Sequence, residues 1–404
     1  MLNSIILFTS FSAIVLNGGR FIFDLSLISV LSDESFRNVS VTILWATLAL
    51  NGSLGVTSGC IKYYSNRGHN EGINKSNSFF IFKVYVYALI PIFVLCLSIN
   101  ALWFGCQNGY IILIALSLYI YNSTLMSARF GLRFKFAAIQ QLIAGIMFIL
   151  LSGGIYFAEL NEVNFAILSI SAIYLSIGLF ALKNDHFIVY PGLNNILLKS
   201  DEILRLREAF LFGFPVVFVG FVYAFMFNAD KLIISKFYNP NIYKNFYFCT
   251  LILLPVHLII SIDSGMKFPL LYKKILQDNI TDVVGGYLLE IKKIFSIISV
   301  FSIILAALLL VLWPKFGDIY AMAGLLVITI PAHYRIVMHI TLINAMNNHK
   351  ILISSFVFSL CFLIFIFLLD GIRDFPILIL LLLFSIFWWV LCFLVAHAKH
   401  LNPS

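Results

Sequence analysis

The sequence predicts an all-α polytopic membrane protein of about twelve spans, each of the roughly 20 residues that a bilayer requires. Three observations lead there. The 404-residue chain is 61% hydrophobic and only 11% charged, with mean hydropathy +1.01, whereas soluble domains carry about 25% charged residues. Continuous apolar runs, such as Phe356 to Leu369 and Ile377 to Val395, recur along the whole length. Lys and Arg gather in alternate connections. Continuous runs indicate helices, because membrane β-barrel strands alternate instead, and helices satisfy their own backbone groups in hydrocarbon.

The expected spans are 5–30, 40–60, 79–103, 110–128, 136–157, 164–182, 210–235, 246–266, 294–313, 318–342, 351–369 and 375–396. The N-terminal stretch lacks a basic flank and runs into Arg20 and Asp24, so it reads as a retained first span rather than a signal peptide. Pro91, Pro215, Pro255 and Pro331 mark candidate bends. The segment 194–208 mixes Ile196, Leu197, Ile203, Leu204 and Leu206 with charges and reads as an interfacial helix. The expected organisation is an N-terminal lobe at 1–182, a linker at 183–209 and a C-terminal lobe at 210–404.

Orientation follows from the cations. With the N-terminus in the cytoplasm, the inward segments carry most of them, among them Lys62, Arg67, Lys75, Lys83, Arg129, Arg133, Lys273, Lys274, Lys292 and Lys293. The outward loops carry only Arg37, Lys236, Lys244, Lys315 and Arg373, so both termini are expected inside. The net charge of +8 is therefore a topology signal and not a nucleic-acid surface. The longest connections, 61–78, 183–209 and 267–293, all face inward.

Charges within spans are the informative residues, since each costs at least ~2.5 kcal/mol at mid-depth when isolated in lipid. Arg20 and Asp24 lie four apart on one face of span 1; Asp230 and Lys231 lie near the outer end of span 7; Asp263 lies in span 8; His333, Arg335 and His339 lie in span 10. They read as the lining of a hydrated cavity, the alternative being structural pairs and snorkelling side chains. Arg20, Lys231 and Arg335 are the candidate cargo-binding residues, and Asp24 and Asp230 the candidate ion-coupling groups. His333 and His339 are six apart and face different ways, which does not suit a shared metal. The six cysteines are scattered, with no CxxC, and read as small buried hydrophobes. Gly52, Gly55 and Gly59 read as a packing face and not a phosphate loop. No cofactor or metal is expected, and no catalytic constellation appears.

The halves carry a faint repeat. Asn17-Gly-Gly-Arg20 in span 1 matches Asn228-Ala-Asp-Lys231 in span 7, and Ser58-Gly59 before Lys62 matches Ser264-Gly265 before Lys267. Six spans per half give both halves the same orientation, as in a parallel repeat.

The stretch 213–255 has Gly213-Phe214-Pro215, then Asn228-Ala-Asp230-Lys231-Leu-Ile-Ile, then Tyr243 and Leu253-Leu254-Pro255. It resembles the span 7–8 signature of the polysaccharide (O-antigen) flippases. These belong to the multidrug/oligosaccharidyl-lipid/polysaccharide (MOP) exporter superfamily. Arg20, the Gly-rich end of span 2 and Lys62-Tyr63-Tyr64 resemble the same family's span 1–2 region. Two departures stand out: Lys244-Asn245 follows Tyr243 where the family has Gly nearby, and the run before span 1 is short. The resemblance implies two six-helix lobes around a central cavity that opens alternately to either side. It implies an inner-membrane flippase that carries undecaprenyl-diphosphate-linked O-antigen repeat units to the periplasmic leaflet. Membrane lipids, and the pathway's polymerase and chain-length regulator, are the implied partners, with no nucleic acid. The rivals are an O-antigen polymerase, which would carry a large outward loop, and another MOP exporter, a lipid II flippase or a multidrug exporter.

Overall fold

The computed structural model describes residues 2–50, 75–105, 108–130, 133–159, 162–184, 200–251, 271, 274–275, 280–346, 357–359, 361–362, 365–366 and 376–396. Among these there is no β-strand. The helices are α1 (Leu2–Val30), α2 (Asp33–Ala49), α3 (Lys75–Phe104), α4 (Tyr110–Phe130), α5 (Phe134–Phe157), α6 (Val163–Lys183), α7 (Ser200–Phe237), α8 (Pro240–Leu251), α9 (Ile280–Phe316), α10 (Asp318–Val327), α11 (Ile330–Met346) and α12 (Ile377–Ala396). Eight stretches among the described residues are long and apolar enough to cross a membrane. The other four expected spans, 40–60, 210–235, 246–266 and 351–369, fall partly outside the residues or side chains described. The chain is an all-α polytopic membrane protein. It divides into two compact units, Met1–Phe225 and Met226–Ser404.

In the first unit α1 lies along α5 at backbone contact. A methyl group on Gly19 would strike the Gly145 carbonyl, and one on Gly145 would strike the Val15 carbonyl and Leu16 nitrogen. Small residues let two membrane helices approach this closely, and close approach is the main source of packing energy in lipid. Gly178 on α6 does the same against Ile120 and Tyr121 of α4. Helices α3 and α4 are joined by reciprocal phenol-to-backbone bonds. The Tyr85 hydroxyl donates to the Ser123 carbonyl at 2.9 Å, and the Tyr119 hydroxyl to the Tyr85 carbonyl at 3.2 Å. Both tyrosines are buried, so these bonds satisfy hydroxyls that would otherwise be stranded in hydrocarbon. After α3 the chain turns at Gly105 with φ +57°, a left-handed conformation that glycine adopts without strain.

In the second unit α9 is 37 residues long. At 1.5 Å per residue that is about 55 Å, well beyond the ~30 Å hydrocarbon core. Its flank carries exposed Ile297, Val300, Phe301, Ile304 and Val311, the pattern of a lipid-facing helix. Helices α10 and α11 are mostly buried by contrast.

Three expectations are corrected. The segment 280–293, expected within a loop, is helical and continuous with α9. Span 10, expected as one helix, is two, broken at Ile328–Thr329 just before Pro331. Proline has no N–H to donate and its ring clashes with the carbonyl four residues earlier, here Val327, so the ladder cannot run through. Pro91, by contrast, sits within an uninterrupted α3. Third, Cys361 is exposed, while Cys96, Cys249 and Cys392 are buried as expected. The arm from Ser200 runs into the following span as one helix with no break at residue 209. Residues 194–199, Gly52, Gly55, Gly59, Cys60, Cys106, Pro255, His257, Asp263 and the span 2 and span 8 ends of the repeat lie outside the described residues.

The break in span 10 is braced from α12. The Ser385 hydroxyl, 2.8 Å from the Leu381 carbonyl of its own helix, also lies 3.2 Å from the Leu325 carbonyl, and the Trp389 indole N–H donates to the Ile328 carbonyl at 3.1 Å. Ser385 and Trp389 are four apart, one above the other on a helix face. They meet carbonyls that the interrupted ladder exposes, as an apolar surrounding demands.

Candidate functional site

The first unit holds Arg20 in an aromatic frame. Arg20 is half-buried on α1, and its Nη1 donates to the Tyr174 hydroxyl on α6 at 3.4 Å. Tyr174 is itself buried. It lies between Tyr121 of α4, with ring centroids 5.0 Å apart, and Phe148 of α5, at 5.3 Å. Phe148 in turn meets Phe23 of α1 at 5.5 Å in edge contact. The rings form a chain across four helices and flank the phenol that Arg20 meets. The Gly19–Gly145 contact sets the height of Arg20, since Gly19 is its chain neighbour. Asp24, one turn on, is buried. One turn towards the start of α5, buried Gln140 donates to the Tyr121 carbonyl at 3.1 Å and the Thr124 hydroxyl at 2.7 Å.

The second unit holds Lys231 in a comparable way. Its Nζ donates to the Asn228 side-chain oxygen at 3.3 Å and sits over the rings of Phe227 at 5.3 Å and Tyr247 at 5.9 Å. Cation–π contacts of this kind contribute about 0.5–2 kcal/mol, more as water is excluded. Asp230 is buried, and its Oδ1 accepts from the Lys231 backbone N–H at 2.7 Å. Phe227 continues to His333 at 5.2 Å, and His333 to Trp388 at 4.1 Å in edge contact. Arg335 stacks over Phe295 at 5.0 Å, and Phe295 meets Trp389 at 6.2 Å. Lys231 and Arg335 thus reach successive tryptophans of α12 through separate rings. His339 is buried, and its Nδ1 pairs with the Arg335 carbonyl at 2.7 Å. Among the described residues no group of His, Cys, Asp and Glu is arranged to hold a metal.

Comparison with solved structures gives near full-length matches. A MATE transporter in the straight conformation matches with TM-score 0.66 at 13% identity, covering 96% of this chain and 93% of that one. A eukaryotic MATE transporter matches with TM-score 0.61 at 12% identity, covering 97% and 95%. The fold is that of the MATE transporters. An outward-facing multidrug resistance MATE family transporter of the MOP superfamily also matches, with TM-score 0.54 at 14% identity, covering 98% and 95%. No family model matches the sequence, and no curated protein does.

Within this MATE fold the sequence-selected residues fall into two sets. Arg20 and Asp24 belong to the first unit; Asp230, Lys231 and Arg335 belong to the second. Asn17 and Arg20, like Asn228 and Lys231, are three apart on one helix face, and each cation reaches an aromatic side chain. The asparagines differ in use: Asn17 donates to the Ala13 carbonyl at 2.8 Å, while Asn228 accepts from the cation. Sequence reasoning did not single out Tyr174, Tyr121, Phe148, Phe227 or Tyr247. With 18 Tyr and 41 Phe in the chain, nothing in the pattern distinguishes the few that meet a cation.

Proposed function

We propose that this protein is an inner-membrane exporter of the MOP superfamily that flips undecaprenyl-diphosphate-linked oligosaccharides, O-antigen repeat units, to the periplasmic leaflet, with both termini cytoplasmic. The observation that carries this reading is a cation meeting aromatic side chains within each unit of a MATE-like fold: Arg20 at the Tyr174 hydroxyl, and Lys231 over the rings of Phe227 and Tyr247. A diphosphate and several sugar hydroxyls cannot cross hydrocarbon bare, because each stranded polar group costs several kcal/mol. Arginine and lysine hold phosphate through charge-assisted bonds, and aromatic faces offer apolar surface to sugar rings. Arg20, Lys231 and Arg335 are assigned to the anionic head. The lipid tail stays in the bilayer.

Asp24 and Asp230, buried carboxylates within one turn of a cation, are assigned to coupling with a proton or cation gradient. Transport into liposomes that is indifferent to pH and sodium gradients would remove that assignment. The decisive test of cargo is deletion of the gene, followed by lipopolysaccharide gels and extraction of lipid-linked intermediates. The reading expects loss of O-antigen display with repeat units trapped on the cytoplasmic side, restored by the intact gene. Unchanged lipopolysaccharide with altered drug susceptibility would instead support a multidrug exporter, a reading compatible with the shared fold.

A further inference from the structure

Helix α7 begins with an arm, residues 200–211, whose Asp201, Ile203, Leu204, Arg205, Arg207 and Leu211 are exposed. Its less exposed side chains are Glu202, Leu206 and Phe210, spaced four apart and therefore one narrow stripe. At the head of that stripe Glu202 Oε2 lies 2.6 Å from Lys83 Nζ of α3. The Lys83 side chain is only 5% exposed and that of Glu202 14%. Its neighbours Phe80 and Val84 are buried. Within the first unit the arm is anchored to α3 through this charge pair.

A buried ion pair gains little net stability over two well-packed apolar side chains, because both charges lose their hydration. What it supplies is register, together with an alternative in which both groups return to water. An apolar clasp has no such solvated open form. We propose that Lys83 and Glu202 form a latch that is closed in this state and opens during the transport cycle. The arm runs into the following span as one helix, so displacement of the arm is carried into that span. The cycle itself rests on the exporter reading above.

The test fixes the latch shut. In full-length protein with its native cysteines replaced by serine, Lys83→Cys and Glu202→Cys are joined by a short bis-methanethiosulfonate spacer that stands in for the two long side chains. The latch predicts that cross-linking stops oligosaccharide transport and that reduction restores it. A static brace predicts full transport while cross-linked, which would overturn the proposal. Charge reversal by Lys83→Glu or Glu202→Lys alone should lower transport about tenfold, and the double swap should recover it to within about twofold, the pattern of a coupled pair. Failure of the swap to recover would also count against the pair. A cargo-independent readout separates this idea from the flippase reading. Spin labels at Tyr87→Cys and Leu204→Cys leave the pair intact and should report two distance populations in lipid nanodiscs. One population under all conditions overturns the latch. Two populations without any oligosaccharide transport leave the latch standing and remove the cargo assignment.

Discussion

Gly19 and Gly145 face each other across the α1–α5 contact so closely that neither tolerates a β-carbon. Overpacking of a tight contact costs about 1–3 kcal/mol. Gly145→Ala should therefore lower the apparent melting temperature of the detergent-solubilised protein. Gly18→Ala, where the added carbon meets nothing within 4 Å, is the matched control and should change it little. Because Gly19 precedes Arg20, Gly145→Ala should also reduce transport beyond its effect on the amount of folded protein.

Tyr174 orients Arg20 through a single bond from the guanidinium. Tyr174→Phe keeps the ring packing against Tyr121 and Phe148 and removes only the hydroxyl. A hydrogen bond to a charged group contributes about 1.5–3 kcal/mol at good geometry, and 3.4 Å is long. The expected result is a several-fold rise in the half-saturating cargo concentration with little change in maximal rate. Arg20→Ala should reduce transport further, and Arg20→Lys should be intermediate, since lysine keeps the charge and loses the planar fork.

The break at Ile328–Thr329 is braced by Ser385 and Trp389. Removing the indole donor with Trp389→Phe leaves the Ile328 carbonyl without it, at a cost of about 0.5–1.5 kcal/mol for one hydrogen bond. Hydrogen exchange over residues 326–333 should accelerate in Trp389→Phe and in Ser385→Ala. Exchange in α5, in the other unit, should be unaffected. Equal acceleration in both places would mean global destabilisation instead.

Lys231 rests on Phe227 and Tyr247. Phe227→Leu and Tyr247→Leu each remove one cation–π contact, worth about 0.5–2 kcal/mol, and keep the bulk. Each should weaken transport several-fold, and the double change should approach the loss from Lys231→Met. Measured as lipopolysaccharide display at matched protein level, full activity of Lys231→Met would remove this residue from the site.

The helical membrane class was legible because apolar runs of span length have one physical outcome in lipid. The Pro331 bend was legible for a local reason as well. What escaped was long-range. The Trp389 bond to Ile328 joins residues 61 positions apart, and Arg20 meets Tyr174 across 154. Lys83 is instructive: its charge counts as an inward topology signal in the sequence, yet it is buried on Glu202. The helix over 280–293 was missed because its charges, Asp282, Glu290, Lys292 and Lys293, break the apolar run while leaving helix formation untouched. The cations could be chosen from the sequence because charge is expensive in lipid; the aromatic rings that hold them could not, because rings in lipid are ordinary.

The central claim is that Arg20 and Lys231 carry an anionic sugar-phosphate head through the protein. The most direct measurement uses purified protein in liposomes with a fluorescent undecaprenyl-diphosphate oligosaccharide, whose leaflet is read by an externally added glycosidase. The account predicts protein-dependent exchange between leaflets that Arg20→Ala and Lys231→Met each depress at least tenfold, with both variants folded. Exchange no faster than in protein-free liposomes, or exchange undiminished in both variants, would contradict it.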